Sequence, residues 1–295
     1  MTVPARRVLL VSHPSREVAR HAVLAATKRF LEEGVEVVVP VEDASPELPD
    51  VQVSRDAAGC DVAIVLGGDG TMLRAAALTH GARVPVVGIN LGHVGFLAEA
   101  EERDLAAVVD QVVAGRWSVE QRLALDITVT REGALAERLW AVNEASLEKA
   151  DRQRMIEVVV EIDGRPLSRW ACDGVVCATP TGSTAYAFSA GGPVVWPEVE
   201  ALLCVPISAH ALFARPLVVA PTSVIAMELI GRVEAVLWSD GRRSVPVRVG
   251  DRIEVRRSDE PLLVARLEQT PFTDRLVAKF ALPIEGWRGR PGSQR

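Results

Sequence analysis

The run Val62-Ala63-Ile64-Val65-Leu66, then Gly67-Gly68-Asp69-Gly70-Thr71, then Met72-Leu73-Arg74-Ala75-Ala76-Ala77-Leu78 decides how this chain is read. A short, uninterrupted apolar run predicts a buried strand, and the alanine- and leucine-rich segment predicts a helix. A strand, a glycine turn and a helix start in that order put backbone N–H groups at the end of a sheet. The first turn of a helix has unpaired donors and a positive dipole end, so the place attracts anions. The glycines are expected to supply positive φ and to let a phosphate come close to the backbone. Asp69 is the odd member. A carboxylate in an anion-attracting turn holds a cation, takes a proton from a substrate hydroxyl, or caps the helix, and spacing alone leaves all three open.

The same alternation extends on both sides. Val8–Val11 reads as a first strand, and Glu17–Leu31 carries Val18, Ala22, Ala25, Ala26 and Phe30 at helical spacing before Gly34 ends it. Val35–Val39 and Val84–Ile89 read as further strands, the second leading into Asn90-Leu91-Gly92-His93-Val94-Gly95-Phe96-Leu97. Asp104–Ala114 reads as an amphipathic helix. Strands alternating with helices imply a parallel sheet with helices on its faces, and ligands of such sheets gather at the carboxyl ends of the strands.

After Trp117 the texture changes to short runs: Leu123–Thr130, Arg138–Val142, Ile156–Ile162, Val175–Thr179, Val224–Leu229, Ala235–Trp238, Val245–Val249 and Arg252–Val255. Asp163-Gly164, Asp240-Gly241 and Gly250-Asp251 punctuate them, which predicts a β-rich second domain. The expected fold is α/β: a Rossmann-like parallel-sheet domain over residues 1–118, then a β-sandwich-like domain over 119–272. A last segment, 273–295, is expected to return to the first domain through Arg275–Ala281 and to end in a polar tail from Gly286.

Composition narrows the function. With 295 residues, 48% hydrophobic and 24% charged, the chain reads as an ordinary globular protein with room for two cores. A formal net charge of −6 argues against a general nucleic-acid binder, so an anionic ligand needs a local site. Cys60, Cys172, Cys177 and Cys204 have no paired metal-ligand spacing, and buried free thiols in a reducing cytoplasm are expected. No segment approaches the ~20 apolar residues that span a bilayer.

A second constellation lies far downstream. Asp173-Gly174 precedes Thr179-Pro180-Thr181-Gly182-Ser183-Thr184-Ala185-Tyr186, with four Ser/Thr hydroxyl groups in eight residues and the only tyrosine of the chain. Tyr186 suits stacking on a base or nicotinamide ring, while the hydroxyls and backbone suit phosphate or amide groups. The alternative is a Ser/Thr turn followed by a core tyrosine. Asn143-Glu144, after Trp140-Ala141-Val142, offers an amide and a carboxylate for ribose hydroxyls or an adenine edge. Read alone, it is equally a polar strand end.

The order GGDGT, NLGHVGFL, Asn-Glu, DG…TPTGSTAY and then Asp240-Gly241 closely resembles the NAD kinase family, from about Val8 to the Lys279 region. The GGDG turn is shared with diacylglycerol and sphingosine kinases and phosphofructokinases, so TPTGSTAY is the specific signal. The resemblance implies that Asp69 is the catalytic base, flanked by backbone contacts at Gly68, Gly70 and Thr71. It places Arg74 and Arg154 where members often carry basic residues near substrate, and Phe96 where an aromatic lines the NAD pocket. It makes Asn143, Glu144 and Asp173 dinucleotide contacts, with Thr181, Thr184, Ala185, Tyr186 and Ser189 forming the NAD-holding loop. Ala171 stands where some relatives have a basic residue, and Arg242 ends what is a DGQ-like turn in relatives. The NAD pocket is expected between the two domains.

The implied reaction is Mg²⁺-dependent transfer of a phosphoryl group from ATP or polyphosphate to the 2′-hydroxyl of the adenosine ribose of NAD. No GxxxxGK[ST] sequence is present, so a Walker lysine cannot hold the donor. The divalent cation is expected to be bound mainly through donor phosphates and water. The expected setting is cytoplasmic, with no nucleic-acid or membrane partner, and the analogy extends to a homodimer or homotetramer. A lipid kinase would share GGDGT but has no use for TPTGSTAY, and no basic amphipathic helix is apparent. A dehydrogenase needs GxGxxG after its first strand, where this chain has Ser12-His13-Pro14-Ser15. A non-catalytic NAD sensor would have no need of Asp69.

Overall fold

Strands buried on both faces organise the first of two compact units. The computed structural model describes residues 4–13, 17–48, 50–91, 95–101, 104–267 and 271–284. Gly92-His93-Val94 and the polar tail expected from Gly286 lie outside the described residues. One unit takes the described residues up to Gln121 and from Leu263 onward; the other is Arg122–Leu262.

The first unit runs β1 (Arg7–Ser12), α1 (Glu17–Glu32), β2 (Glu36–Pro40), β3 (Gln52–Ser54), β4 (Val62–Leu66), α2 (Asp69–Thr79), β5 (Val86–Asn90), β6 (Ala98–Glu101), α3 (Leu105–Val113) and β7 (Ser118–Arg122). Its sheet has the order β3-β2-β1-β4-β5, with β6 also on β5, and the pairings among these strands are parallel. All five side chains of β4 are buried, as both-face burial in a parallel sheet demands. α1 lays Ala19, Ala22, Val23, Ala26 and Phe30 on the core with Ile64, Leu66 and Val87. The chain leaves β1 toward β2 on one side, and β4 takes its place on the other side of β1. That reversal is a topological switch point, and the GGDGT turn stands at the carboxyl end of its β4 flank.

The second unit contains β8 (Leu125–Arg131), β9 (Ala134–Ala141), β10 (Glu144–Lys149), β11 (Ile156–Ile162), β12 (Arg165–Cys172), β13 (Gly174–Ala178), α4 (Tyr186–Ser189) and β14 (Leu202–Ile207). It continues with β15 (Leu217–Val219), β16 (Ile225–Ile230), β17 (Ala235–Ser239), β18 (Arg243–Val247) and β19 (Arg252–Arg257). Two antiparallel six-stranded sheets form, β15-β14-β13-β10-β17-β18 and β12-β11-β16-β19-β8-β9. Their inner faces share one core, with Leu147, Val175 and Leu237 from the first sheet and Ile127, Val158, Trp170 and Met227 from the second. Asp163-Gly164 and Asp240-Gly241 take positive φ at both residues (53° and 73°; 52° and 60°), which suits tight hairpins that match strand twist.

β20 (Leu262–Arg266) then returns to the first sheet, Val264 pairing in parallel with Val86, and α5 (Phe272–Phe280) closes the described chain. Sequence reading left β20 unassigned. The four cysteines are buried and free, and no described helix is long and apolar enough to cross a membrane.

Candidate active site

The glycine turn is built differently from the expectation in one respect. Gly67, Gly68 and Gly70 are absent from the positive-φ residues, and the cap Gly68 is extended, with φ −93° and ψ −169°. Space rather than backbone freedom explains the glycines. A Cβ on Gly67 would lie 2.4 Å from the Thr71 hydroxyl, whereas one on Gly68 or Gly70 would meet nothing within 4 Å. The turn is therefore open above Gly68 and Gly70, where a side chain would fill the cradle a phosphate needs.

Asp69 does not cap its helix. It is the first residue of α2, Gly68 is the cap, and no side-chain cap bond forms. The half-buried carboxylate instead accepts the Phe96 N–H at 3.1 and 3.3 Å and the Leu97 N–H at 3.2 Å. Gly95 makes this approach possible, since a Cβ there would stand 2.5 Å from Asp69 Oδ1. Two amides thus fix the carboxylate in orientation.

Arg74 and Phe96 are each held by contacts within the chain. The Arg74 guanidinium grips Asp43 through Nη1 at 2.8 Å and Nη2 at 2.5 Å and also donates to the Ser12 carbonyl. Asp43 in turn accepts the Ser12 N–H at 2.8 Å, so this network ties the end of β1 to α2. The Phe96 ring packs against Phe272 and Phe280 with centroids 5.9 Å apart in each case. A cavity of about 160 Å³ opens at the ends of β1 and β2, but Glu42, Asp43 and Glu47 line it beside Arg20. Arg20 is paired to Glu47 at 3.0 Å, so that cavity is a poor host for phosphate.

In the second unit, the Asn143-Glu144 turn and the TPTGSTAY loop are locked together. Thr179 Oγ1 donates to the Val142 carbonyl at 2.6 Å, and its N–H donates to the Asn143 carbonyl at 2.9 Å. Gly182 lies directly on that carbonyl: an added Cβ would be 2.0 Å from the Asn143 oxygen. Ser183 Oγ donates to the Pro180 carbonyl and accepts the Val195 N–H at 2.9 Å. Of the loop's Ser and Thr hydroxyls, those of Thr179 and Ser183 are thus structural. Thr181 is buried and Thr184 half-buried, with Thr184 Oγ1 donating to the Thr181 carbonyl at 3.3 Å. Tyr186 is 37% exposed, which disposes of the core-tyrosine alternative, and Ser189 is exposed beside it. Ala187 anchors α4 beneath, among Val176, Ala178, Leu203 and Val205.

Glu144 is the electrostatic anomaly. It is 7% exposed, its Oε2 has no hydrogen-bond partner among the described residues, and its other polar support is the Tyr186 N–H. Burial first, and the Asp240 carboxylate second, push its pKa up to about 7. Asp240 was read only as part of a turn. Its carboxylate collects three successive amides, those of Val142, Asn143 and Glu144, at 2.7–3.3 Å, and its own N–H returns to the Glu144 carbonyl at 2.9 Å. Burial raises the Asp240 pKa, opposed by those amides and then by Arg243. Arg243 donates to the Trp140 carbonyl and to Ser239 Oγ. Arg242, next to it, is exposed.

The remaining candidates sit elsewhere on the second unit. Asp173 pairs with Lys149 at 2.5 Å. Ala171 makes an isolated bridge to His210, and Arg154 is exposed in the turn before β11. The residues that sequence reading missed are Asp240 and Arg275. Each acts on the motif across 96 or more positions of chain, and only the Asp-Gly dipeptide marked the first.

Comparison with known proteins covers both units. Residues 8–117 match the family model described as the ATP-NAD kinase N-terminal domain, and residues 142–267 match the ATP-NAD kinase C-terminal domain. The NAD kinase of Thermobifida fusca is 54% identical over 97% of this chain and 92% of its own length. NAD kinase 2 of Streptomyces avermitilis is also 54% identical, over 97% of this chain and 98% of its own. Among solved structures, yeast NADH kinase complexed with NADH superposes with a TM-score of 0.83 at 26% identity, covering 99% of this chain and 90% of that one. An NAD kinase from Archaeoglobus fulgidus in complex with ATP gives 0.70 at 27% identity, over 94% and 100%.

Proposed function

The chain belongs to the NAD kinase family, and we propose that it makes NADP from NAD and ATP with Asp69 as the general base for the 2′-hydroxyl of the adenosine ribose. The observation that carries this reading is the Asp69 carboxylate, turned away from its helix and held by the Phe96 and Leu97 amides at the mouth of an open glycine turn. An alcohol is a poor nucleophile at neutral pH. A carboxylate within hydrogen-bond reach that takes its proton typically contributes ~10²–10⁴-fold. The bond formed joins the ribose oxygen to the γ-phosphorus, the bond broken joins that phosphorus to the ADP oxygen, and the proton passes to Asp69.

The rest of phosphoryl transfer is positioning and charge neutralisation. The start of α2 and the open face of Gly68 and Gly70 support a phosphate cradle made of backbone groups. Among the described residues no three metal-ligating side chains cluster. A divalent cation, Mg²⁺ by expectation, would be carried by the donor phosphates and water and would supply charge neutralisation there. On the second unit Asn143, Glu144 and Tyr186 hold the dinucleotide, with Thr184, Ala185 and Ser189 as neighbours on the loop and Asp173 beside it. Arg74, paired with Asp43 beside the turn, supports the turn and stands near the proposed phosphate site. A homodimer or homotetramer belongs to the same reading, supported by the exposed apolar side chains Leu135, Leu167 and Val218 on the strands of this unit.

A coupled assay for NADP from NAD, ATP and Mg²⁺ tests the reaction, with polyphosphate replacing ATP in one arm and diacylglycerol replacing NAD in another. NADP formation without phosphorylation of diacylglycerol is expected. Phosphatidic acid in place of NADP would overturn the reading.

A further inference from the structure

The helix α5 lies beyond both matched domain models, which end at residues 117 and 267. Three of its side chains nevertheless converge on one residue, Phe96. Phe272 and Phe280 each contact its ring at 5.9 Å, and Arg275 Nη1 donates to its carbonyl at 3.0 Å. The peptide N–H of the same Phe96 donates to both Asp69 oxygens. Phe96 is thus held from one side by α5 and holds Asp69 from the other.

We infer that Arg275 is a positioning residue for the reaction, setting the Asp69 carboxylate through Phe96, and that α5 is part of the active-site framework. The inference rests on the reading of Asp69 as base. Charge supports the geometry. Arg275 is only 8% exposed, and burial lowers its pKa while the carboxylates of Glu120 and Asp69 raise it. Glu120 is also gripped by Arg266 at 2.5 Å. Arg275 and Arg266 thus share a buried charged neighbourhood with Glu120, and Asp69 lies within electrostatic reach of Arg275. Gly95 shows how little tolerance the arrangement has, because a single Cβ would already strike Asp69. A base displaced by about 1 Å from a reacting hydroxyl costs roughly 10²-fold.

The test is a double-mutant cycle on the full chain, with kcat normalised to the protein that binds NAD. Arg275→Ala is expected to lower kcat by ~10–100-fold while the NAD dissociation constant stays within about threefold. Arg275→Lys, which keeps the charge and a donor, is expected to recover most of the loss. In an Asp69→Asn background the same Arg275→Ala change is expected to cost less than about twofold, since its effect runs through Asp69. If Arg275→Ala does not fold, Arg275→Gln carries the same cycle. A merely structural role would lower thermal stability and leave the two effects additive. Additive losses, or a parallel loss of NAD affinity, would overturn this inference alone. Near-wild-type turnover of Asp69→Asn by itself would instead overturn the base assignment and this inference with it.

Discussion

Replacing Glu144 with Gln is a sharp test of the electrostatics of the second unit. The side chain keeps its shape and an oxygen for the Tyr186 N–H, but it is neutral at every pH. In the wild type, burial and Asp240 raise the Glu144 pKa from 4.5 to about 7. A carboxyl whose folded pKa lies above its unfolded value binds a proton more tightly in the native state. The native protein therefore loses stability as pH rises through the window from 4.5 to about 7. The difference of about 2.5 pH units, at 1.36 kcal/mol each, amounts to roughly 3 kcal/mol. Glu144→Gln removes that cost, so its advantage over wild type should be small at pH 5 and approach ~3 kcal/mol at pH 8. For a unit of this size the gain corresponds to roughly 6–12 °C in Tm. Differential scanning calorimetry of both proteins at pH 5 and pH 8 reads it directly. Asp240 titrates in both and largely cancels. A Tm difference between variant and wild type that does not change with pH would refute the reasoning.

Other substitutions probe the two motifs. Tyr186→Ala, at a 37% exposed position, should leave Tm nearly unchanged and weaken NAD binding by ~1–3 kcal/mol, the range for a lost base–aromatic stack, as isothermal titration would report. Gly182→Ala forces a Cβ to within 2.0 Å of the Asn143 carbonyl oxygen. It should destabilise the second unit by about 3 kcal/mol or more in urea unfolding, whereas Gly68→Ala should fold normally and raise KM for ATP on the order of tenfold, about 1.4 kcal/mol. Arg242→Ala should keep kcat within about threefold, because its exposed position places it outside the Asp240 clamp. A loss of several orders of magnitude would show that the turn is misassigned.

Much of the first unit was legible because both-face burial writes a parallel strand as an unbroken apolar run. Val62–Leu66 is bounded in the structure where the sequence breaks. The second unit was legible in texture but not in detail. β10 reads Glu-Ala-Ser-Leu-Glu-Lys, polar enough to hide a strand four of whose six residues are buried. β14 is apolar throughout except for Pro206, which breaks the pattern, and it went unassigned. The motifs announced the candidate residues, yet not what holds them. The Arg74–Asp43 pair spans 31 residues, the Asp240 clamp up to 98 and the Arg275–Phe96 bond 179. Contacts at such separations depend on how the sheets stack, which no local pattern encodes. The positive φ expected of the GGDG glycines failed for a local reason. Their smallness answers to Thr71 and to the open cradle, not to the turn itself.

The central claim is that Asp69 is the base, and steady-state kinetics of Asp69→Asn across a Mg²⁺ series tests it most directly. Asn nearly preserves the shape of the turn and accepts the Phe96 amide, but it cannot take a proton. The account predicts a fall in kcat of ~10²–10⁴-fold with NAD binding retained and no recovery at high Mg²⁺. Recovery at high Mg²⁺ would mean that Asp69 anchors the cation instead. Turnover close to wild type would contradict the account outright.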